Sequence, residues 1–247
     1  MHTTNIGNLL HLCGRQIIVL TILLTAFAHH AEAQRNKGNV NYYEFQQKDY
    51  YFGITLGYNT SRFTPFPSEE FLFSDSIRAV TSLNGPGFNL GIVTNLKVGE
   101  YFDFRFLPTL SFSERTLQYD KSVTDNRITT EPIESVFVEL PFHLRYKSKP
   151  YRDLRLFVIG GVKYGFDVAS DSRTRQAATI VKISPTDFAI EYGAGIQFFF
   201  PYFIFSPEFK VSHGIGNTLI FNPNLEESTV LEKVLSRTFT ISLHFEG

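Results

Sequence analysis

Tryptophan is absent from this sequence, and cysteine occurs once, at Cys13. A lone thiol makes no intrachain disulfide, so a disulfide-stapled fold is excluded. Charge of one sign is also missing: the formal net charge is −1, which leaves no basic surplus for nucleic acid. Histidine is thin beyond the first 33 residues, where only His143, His213 and His244 occur. That is poor material for a metal site. Long apolar runs are absent after residue 33, so no membrane helix is expected there.

The one apolar run lies at the start. Arg15 precedes Ile17 to Ala28, and Ala31-Glu32-Ala33 follows as a small-x-small cleavage signature. The run is about 12 residues, short of the roughly 20 needed to span a bilayer. Residues 1–33 therefore read as a secretory signal peptide, with the mature chain starting at Gln34. Cys13 leaves with it. Residues 34–49 are polar and read as an irregular periplasmic lead.

What is present is aromatic: 26 Phe and 12 Tyr. They are dispersed in strict alternation. In 135–150, SVFVELPFHLRYKSKP, one parity holds Val136, Val138, Leu140, Phe142, Leu144 and Tyr146. The other holds Phe137, Glu139, Pro141, His143, Arg145 and Lys147. Period two means a strand with two unlike faces. Comparable segments recur near 50–59, 86–96, 101–117, 154–168, 187–199, 202–213 and 237–246. Phe157 and Ile159 interrupt the polar parity of 154–168.

Eight strands of about ten residues suit a membrane wall, since soluble strands average 5–6. Expected turns near 97–100, 148–153 and 199–201 are short. Expected loops near 60–85, 118–133, 169–186 and 214–236 are long and polar. Short turns at one rim and long loops at the other is the outer-membrane pattern. The fold class read from the sequence is thus all-β: an eight-stranded antiparallel transmembrane barrel over 50–247, with both termini periplasmic. Tyr51, Tyr101, Tyr146, Tyr151, Phe200, Tyr202 and Phe245 gather at the short-turn rim as an expected interfacial girdle. A lipocalin-like soluble barrel is the rival, but it would turn the apolar face inward.

In a membrane barrel the charged parity faces the lumen. Asp103, Glu139, Asp167, Glu191 and Glu208 then balance Arg105, Arg145, Arg155, Lys163 and Lys210, which suggests a closed polar network. Glycines on that parity are expected to make room for the long Arg and Lys chains. Pro108, Pro141 and Pro207 fall inside strands, where bulges or strand ends are expected.

Glu139, His143 and Arg145 share a face and could be acid, base and oxyanion clamp. A filled lumen offers them no substrate, so salt bridging is the better reading. Ser212 and His213 are neighbours and point to opposite faces. Asn84-Gly85-Pro86-Gly87 is a turn with no helix after it, not a phosphate cradle. No catalytic, cofactor-binding or metal-binding residue is nominated, and no cofactor is expected.

YYFGITLGYNTSRF (50–63), GPGFNLGI (85–92), VELPFHLRYKSK (138–149) and the C-terminal alternating strand resemble the PorT family of Bacteroidota outer-membrane barrels. The resemblance covers essentially the whole mature chain. It implies an outer-membrane barrel required for type IX protein secretion and linked gliding motility, without a catalytic motif. Implied partners are outer-membrane lipid, other type IX components, and the barrel-insertion machinery, whose C-terminal signal Phe245 fits. The alternatives are a structural or adhesive barrel and a lipid-modifying outer-membrane enzyme.

Overall fold

The computed structural model describes residues 40–73, 77–121, 128–168, 182–223 and 225–247. The expected signal peptide lies outside them. A short helix, α1 (Val40–Gln46), precedes the first strand. The wall is built from β1 (Tyr50–Pro67), β2 (Ile77–Lys97), β3 (Phe102–Phe106), β4 (Thr109–Lys121), β5 (Ile128–Lys147), β6 (Leu154–Asp167), β8 (Thr186–Phe199), β9 (Ile204–Gly214) and β11 (Leu231–Glu246). Two short strands, β7 (Lys182–Ile183) and β10 (Leu219–Ile220), pair with each other in the loops.

β3 and β4 are two halves of one wall strand: both pair with β2 and with β5. That makes eight wall strands, each antiparallel to its chain neighbours. β1 and β11 zip together from Gly53↔Glu246 to Pro67↔Leu231 and close the ring. Closure satisfies the backbone groups that an open edge would leave bare in lipid.

The faces sort as the alternation predicts. On β5, Val136 to Tyr146 of the apolar parity are partly or fully exposed, while Phe137, Glu139, Pro141, His143, Arg145 and Lys147 are buried. Exposed Phe, Leu, Ile, Val and Tyr form the outer belt, and Arg, Lys, Asp, Glu, Asn, Ser and Thr fill the inside. A soluble protein would invert this order.

The short turns lie where expected. Val98 N–H donates to Phe102 O (2.8 Å) and Phe200 N–H to Phe203 O (2.9 Å). Gly99 takes φ +93°, a left-handed conformation that glycine adopts without strain.

The long-loop side differs from expectation. β1 runs to Pro67 and β2 starts at Ile77, so most of 60–85 is strand. β4 reaches Lys121, β5 starts at Ile128 and β11 at Leu231. The ladder needs only backbone partners, so polar sequence above the belt extends the wall just as well. Residues 122–127 and 169–181 lie outside the described set.

The three prolines behave differently. Pro108 sits in the break between β3 and β4, as expected. Opposite Pro207 the β8–β9 ladder lapses between Gly195↔Glu208 and Phe198↔Phe205, then resumes in the same register. Pro141 contradicts the expectation: it pairs with Lys163 without any shift. It lies across from the Leu107–Pro108 break, where Leu107 N–H donates to Pro141 O (3.2 Å). The Thr109 hydroxyl donates to Leu107 O at 2.7 Å, standing in for the proline's missing N–H.

Candidate functional site: the filled lumen and its two ends

All ten charged residues assigned to the lumen are buried, and Arg115, Lys147, Asp187 and Glu246 join them. The interior thus holds seven carboxylates and seven Arg or Lys side chains among the described residues. Glu246 lay within reach of the sequence reading, since it continues the Ser242, His244 parity by one more step.

The charges are organised by pairing. Arg145 Nη2 reaches Asp103 Oδ2 at 2.5 Å, Asn95 Oδ1 at 3.0 Å and the Tyr51 hydroxyl. Lys147 binds the other oxygen of Asp103. Arg105 spans two strands, with Nη1 at 2.7 Å from Glu208 and Nη2 at 2.9 Å from Glu246. Glu191 gathers His143 Nε2 at 2.6 Å, Lys210 at 3.4 Å and Lys163 at 3.5 Å. Lys163 also holds Glu139 at 2.8 Å. Stripping water from a charge costs several kcal/mol, and only such close multiple pairing offsets it.

Phe157, the apparent flaw in its strand, lies inside this network. The guanidinium carbons of Arg145 and Arg105 sit 5.2 Å and 6.0 Å from its ring centre. Cation–π contact explains an aromatic on the polar parity. The lumen glycines also differ from expectation. A Cβ at Gly195 would meet the Phe157 ring at 2.4 Å, and one at Gly161 would meet Phe142 O at 2.0 Å. They admit a ring and neighbouring backbone, not Arg or Lys chains.

Glu139, His143 and Arg145 share a face but serve three different partners: Lys163, Glu191 and Asp103. Ser212 is buried, while His213 points outward to Tyr192, whose hydroxyl lies 3.0 Å from His213 Nε2. Arg155 leaves the central network. It donates to Ser148 O (2.6 Å), Glu100 O (2.7 Å) and the Tyr42 hydroxyl (3.1 Å) at the short-turn mouth.

That mouth holds α1. The lead was expected to be irregular, yet 40–46 is helical and docks. Tyr42 and Phe45, three apart on one helical face, pack with Tyr51, Phe199 and Ile204. Tyr42 meets Phe199 edge-on at 5.1 Å. Asn41 Nδ2 donates to Phe199 O (3.3 Å), Tyr42 N–H to Asp153 Oδ1 (3.3 Å), and Lys97 Nζ to Phe45 O. Burial pushes the Tyr42 phenol above its ordinary value. Tyr51, assigned above to the girdle, is instead buried in this cluster. Beside the helix lies a cavity of about 310 Å³ lined by Asp49, Lys97, Glu100, Lys147 and Gln197 among others.

The other end is closed by apolar side chains. Phe63, Ile77, Leu117, Tyr119, Leu219, Val230, Leu231 and Val234 form one buried cluster. The segment at Asn217 and Thr218 folds back onto β11: Thr218 N–H donates to Val234 O (3.0 Å) and Val234 N–H to Asn217 Oδ1 (3.0 Å). The sequence reading missed this cap because Phe63 and Leu117 follow polar inward residues and carry no separate signal.

A family model described as outer membrane protein beta-barrel domain matches residues 33–219. Comparison with curated proteins finds no match. Among solved structures, Ail, the attachment invasion locus protein of Yersinia pestis, in complex with the heparin analogue sucrose octasulfate, is 15% identical over 81% of this chain and 100% of its own, with a TM-score of 0.35. OprG, an outer membrane protein from Pseudomonas aeruginosa, is 12% identical over 81% of this chain and 97% of its own, with a TM-score of 0.46.

Proposed function

The chain belongs to the outer membrane protein beta-barrel domain family, and on that premise we propose that it is a non-catalytic accessory or assembly component of type IX protein secretion. In this reading the signal peptide is removed before Gln34 and the barrel enters the outer membrane through the insertion machinery. The observation that carries the accessory role is the filled lumen. Paired charges occupy the middle, α1 stands in one mouth and an apolar cluster in the other. An eight-stranded barrel packed in this way is too narrow for folded cargo. Its work must be done by its surfaces, on other secretion components and on lipid. The secretion assignment rests on the resemblance of 50–63, 85–92 and 138–149 to the PorT family.

Deletion of the gene tests it. Proteins carrying the type IX C-terminal signal should collect in the periplasm and vanish from the cell surface and medium. Normal export would leave an outer-membrane barrel with a structural or adhesive role.

A further inference from the structure

On the outside of the wall, three neighbouring strands interrupt their apolar run at one level, and Phe66, Leu235 and Ile215 follow on the same parity. β1 presents Phe52, Ile54, Leu56, Tyr58, Thr60 and then Arg62. β11, read upward from its C-terminus, presents Phe245, Leu243, Ile241, Phe239 and then Arg237. β9 presents Phe205, Pro207 and Phe209, then the buried Val211, and then His213. The ladders place Arg62, Arg237 and His213 in one row: Arg62↔Arg237 and Arg237↔His213.

The row sits at a membrane boundary. From Phe245 to Arg237 is about 26 Å along the strand at roughly 3.3 Å per residue. With a tilt near 40° this is about 20 Å of height, close to the roughly 25 Å apolar band of an outer-membrane barrel. Phe245 marks the periplasmic rim, so Arg62, Arg237 and His213 mark the outer-leaflet headgroup level.

Two like charges placed directly opposite each other destabilise a ladder unless something neutral or negative lies between them. Nothing among the described residues does this here. Neither arginine forms an ion pair with a described carboxylate, and each Nε is buried without a hydrogen-bond partner. Both arginines are half-buried, and the Arg237 guanidinium lies 5.1 Å from the Phe239 ring centre. Tyr192 stacks on His213 at 5.7 Å and fixes its ring. Lys233 adds a further cation toward the rim. Paired guanidinium forks match the oxygens of a phosphate.

We propose that Arg62, Arg237 and His213 form a binding site on the outer wall for the phosphate of an outer-leaflet lipid headgroup. The acyl chains of that lipid lie along the apolar residues below the row, and its phosphate bridges the two guanidinium groups. Free phosphate would lack the chain contacts, which is why the site favours the lipid.

The test uses the folded full barrel in neutral detergent. The probes are lipid A carrying two phosphates, the same lipid A with both phosphates removed, and inorganic phosphate. Binding is read by native mass spectrometry and by the unfolding temperature of the heat-modifiable band. The phosphorylated lipid should bind at least about tenfold more tightly than its dephosphorylated form and raise the unfolding temperature. Arg62→Gln with Arg237→Gln should erase that difference, while Arg62→Lys with Arg237→Lys should keep part of it. Equal binding of the two lipids by the unchanged protein overturns the proposal, and so does an undiminished preference in the Gln pair. Stabilisation by inorganic phosphate as strong as by the lipid overturns the lipid assignment in favour of a free-anion site. If the Gln pair does not fold, the two-lipid comparison and the Lys pair still decide.

Discussion

Asp103 on β3 and Arg145 on β5 are direct cross-strand partners, both wholly buried, with Arg145 Nε and Nη2 at 3.0 Å and 2.5 Å from one carboxylate oxygen. Arg145 also lies 3.6 Å from Glu246 on β11, so it links opposite parts of the ring. Arg145→Gln should lower stability by about 3–5 kcal/mol, because it strands buried carboxylates. Asp103→Asn in that background should cost less than its effect alone. Denaturant midpoints of the folded barrel in detergent measure both. A loss under about 1 kcal/mol for Arg145→Gln would show that the network does not hold the lumen together.

Gly160 and Gly161 are adjacent and should respond oppositely. A Cβ at Gly161 would lie 2.0 Å from Phe142 O and 2.9 Å from His143 Cα, both backbone atoms. A Cβ at Gly160 meets nothing within 4 Å. Gly161→Ala should cost about 1–3 kcal/mol or block folding, while Gly160→Ala should be neutral or slightly stabilising. The folded fraction on an unboiled gel reads this directly, and similar yields for both variants would refute it.

The helix in the short-turn mouth is held chiefly by two rings. Tyr42→Ala and Phe45→Ala should each release it, with a loss of up to about 3–5 kcal/mol for a buried aromatic. Limited proteolysis is the readout: cleavage within 40–49 should accelerate while the barrel stays intact. Unchanged cleavage would mean that the packing with Phe199 contributes little.

Docking of that helix should also depend on pH. Burial raises the Tyr42 phenol above its ordinary value of about 10. The docked state therefore holds its proton where the undocked state loses it. Its contribution is fully present below pH about 10 and is lost as pH rises from there through the raised value of the docked phenol. Tyr42→Phe should flatten the dependence, measured as protease protection of 40–49 between pH 7 and 11. A slope that survives in Tyr42→Phe would point to another group.

The wall was legible because period-two alternation is a local signal repeated eight times. Its inner charges followed from the same parity. Tyr51 shows where residue type misled: it shares the parity of Thr55 and Asn59, which places it inside, but its ring suggested the membrane rim. The extension of β1 through Thr60–Pro67 was hidden because polar outward residues above the belt look like loop. α1 has only seven residues and no helical stability of its own. Besides the nearer Tyr51 and Lys97, its order comes from Asp153, Arg155, Phe199 and Ile204, more than a hundred positions away, so little in 34–49 could announce it. Phe157 needed the two arginines it meets, which lie on other strands.

The placement of α1 carries a consequence for the order of assembly. This element precedes every described strand, yet beyond Tyr51 on β1 and Lys97 on β2 its anchors come from β6, β8, β9 and the turn before β6. It cannot find its seat until those late strands have formed, and that is nearly when β11 returns to β1. The first described segment to be made is thus among the last to be fixed, and a docked α1 marks a barrel whose late strands are in place.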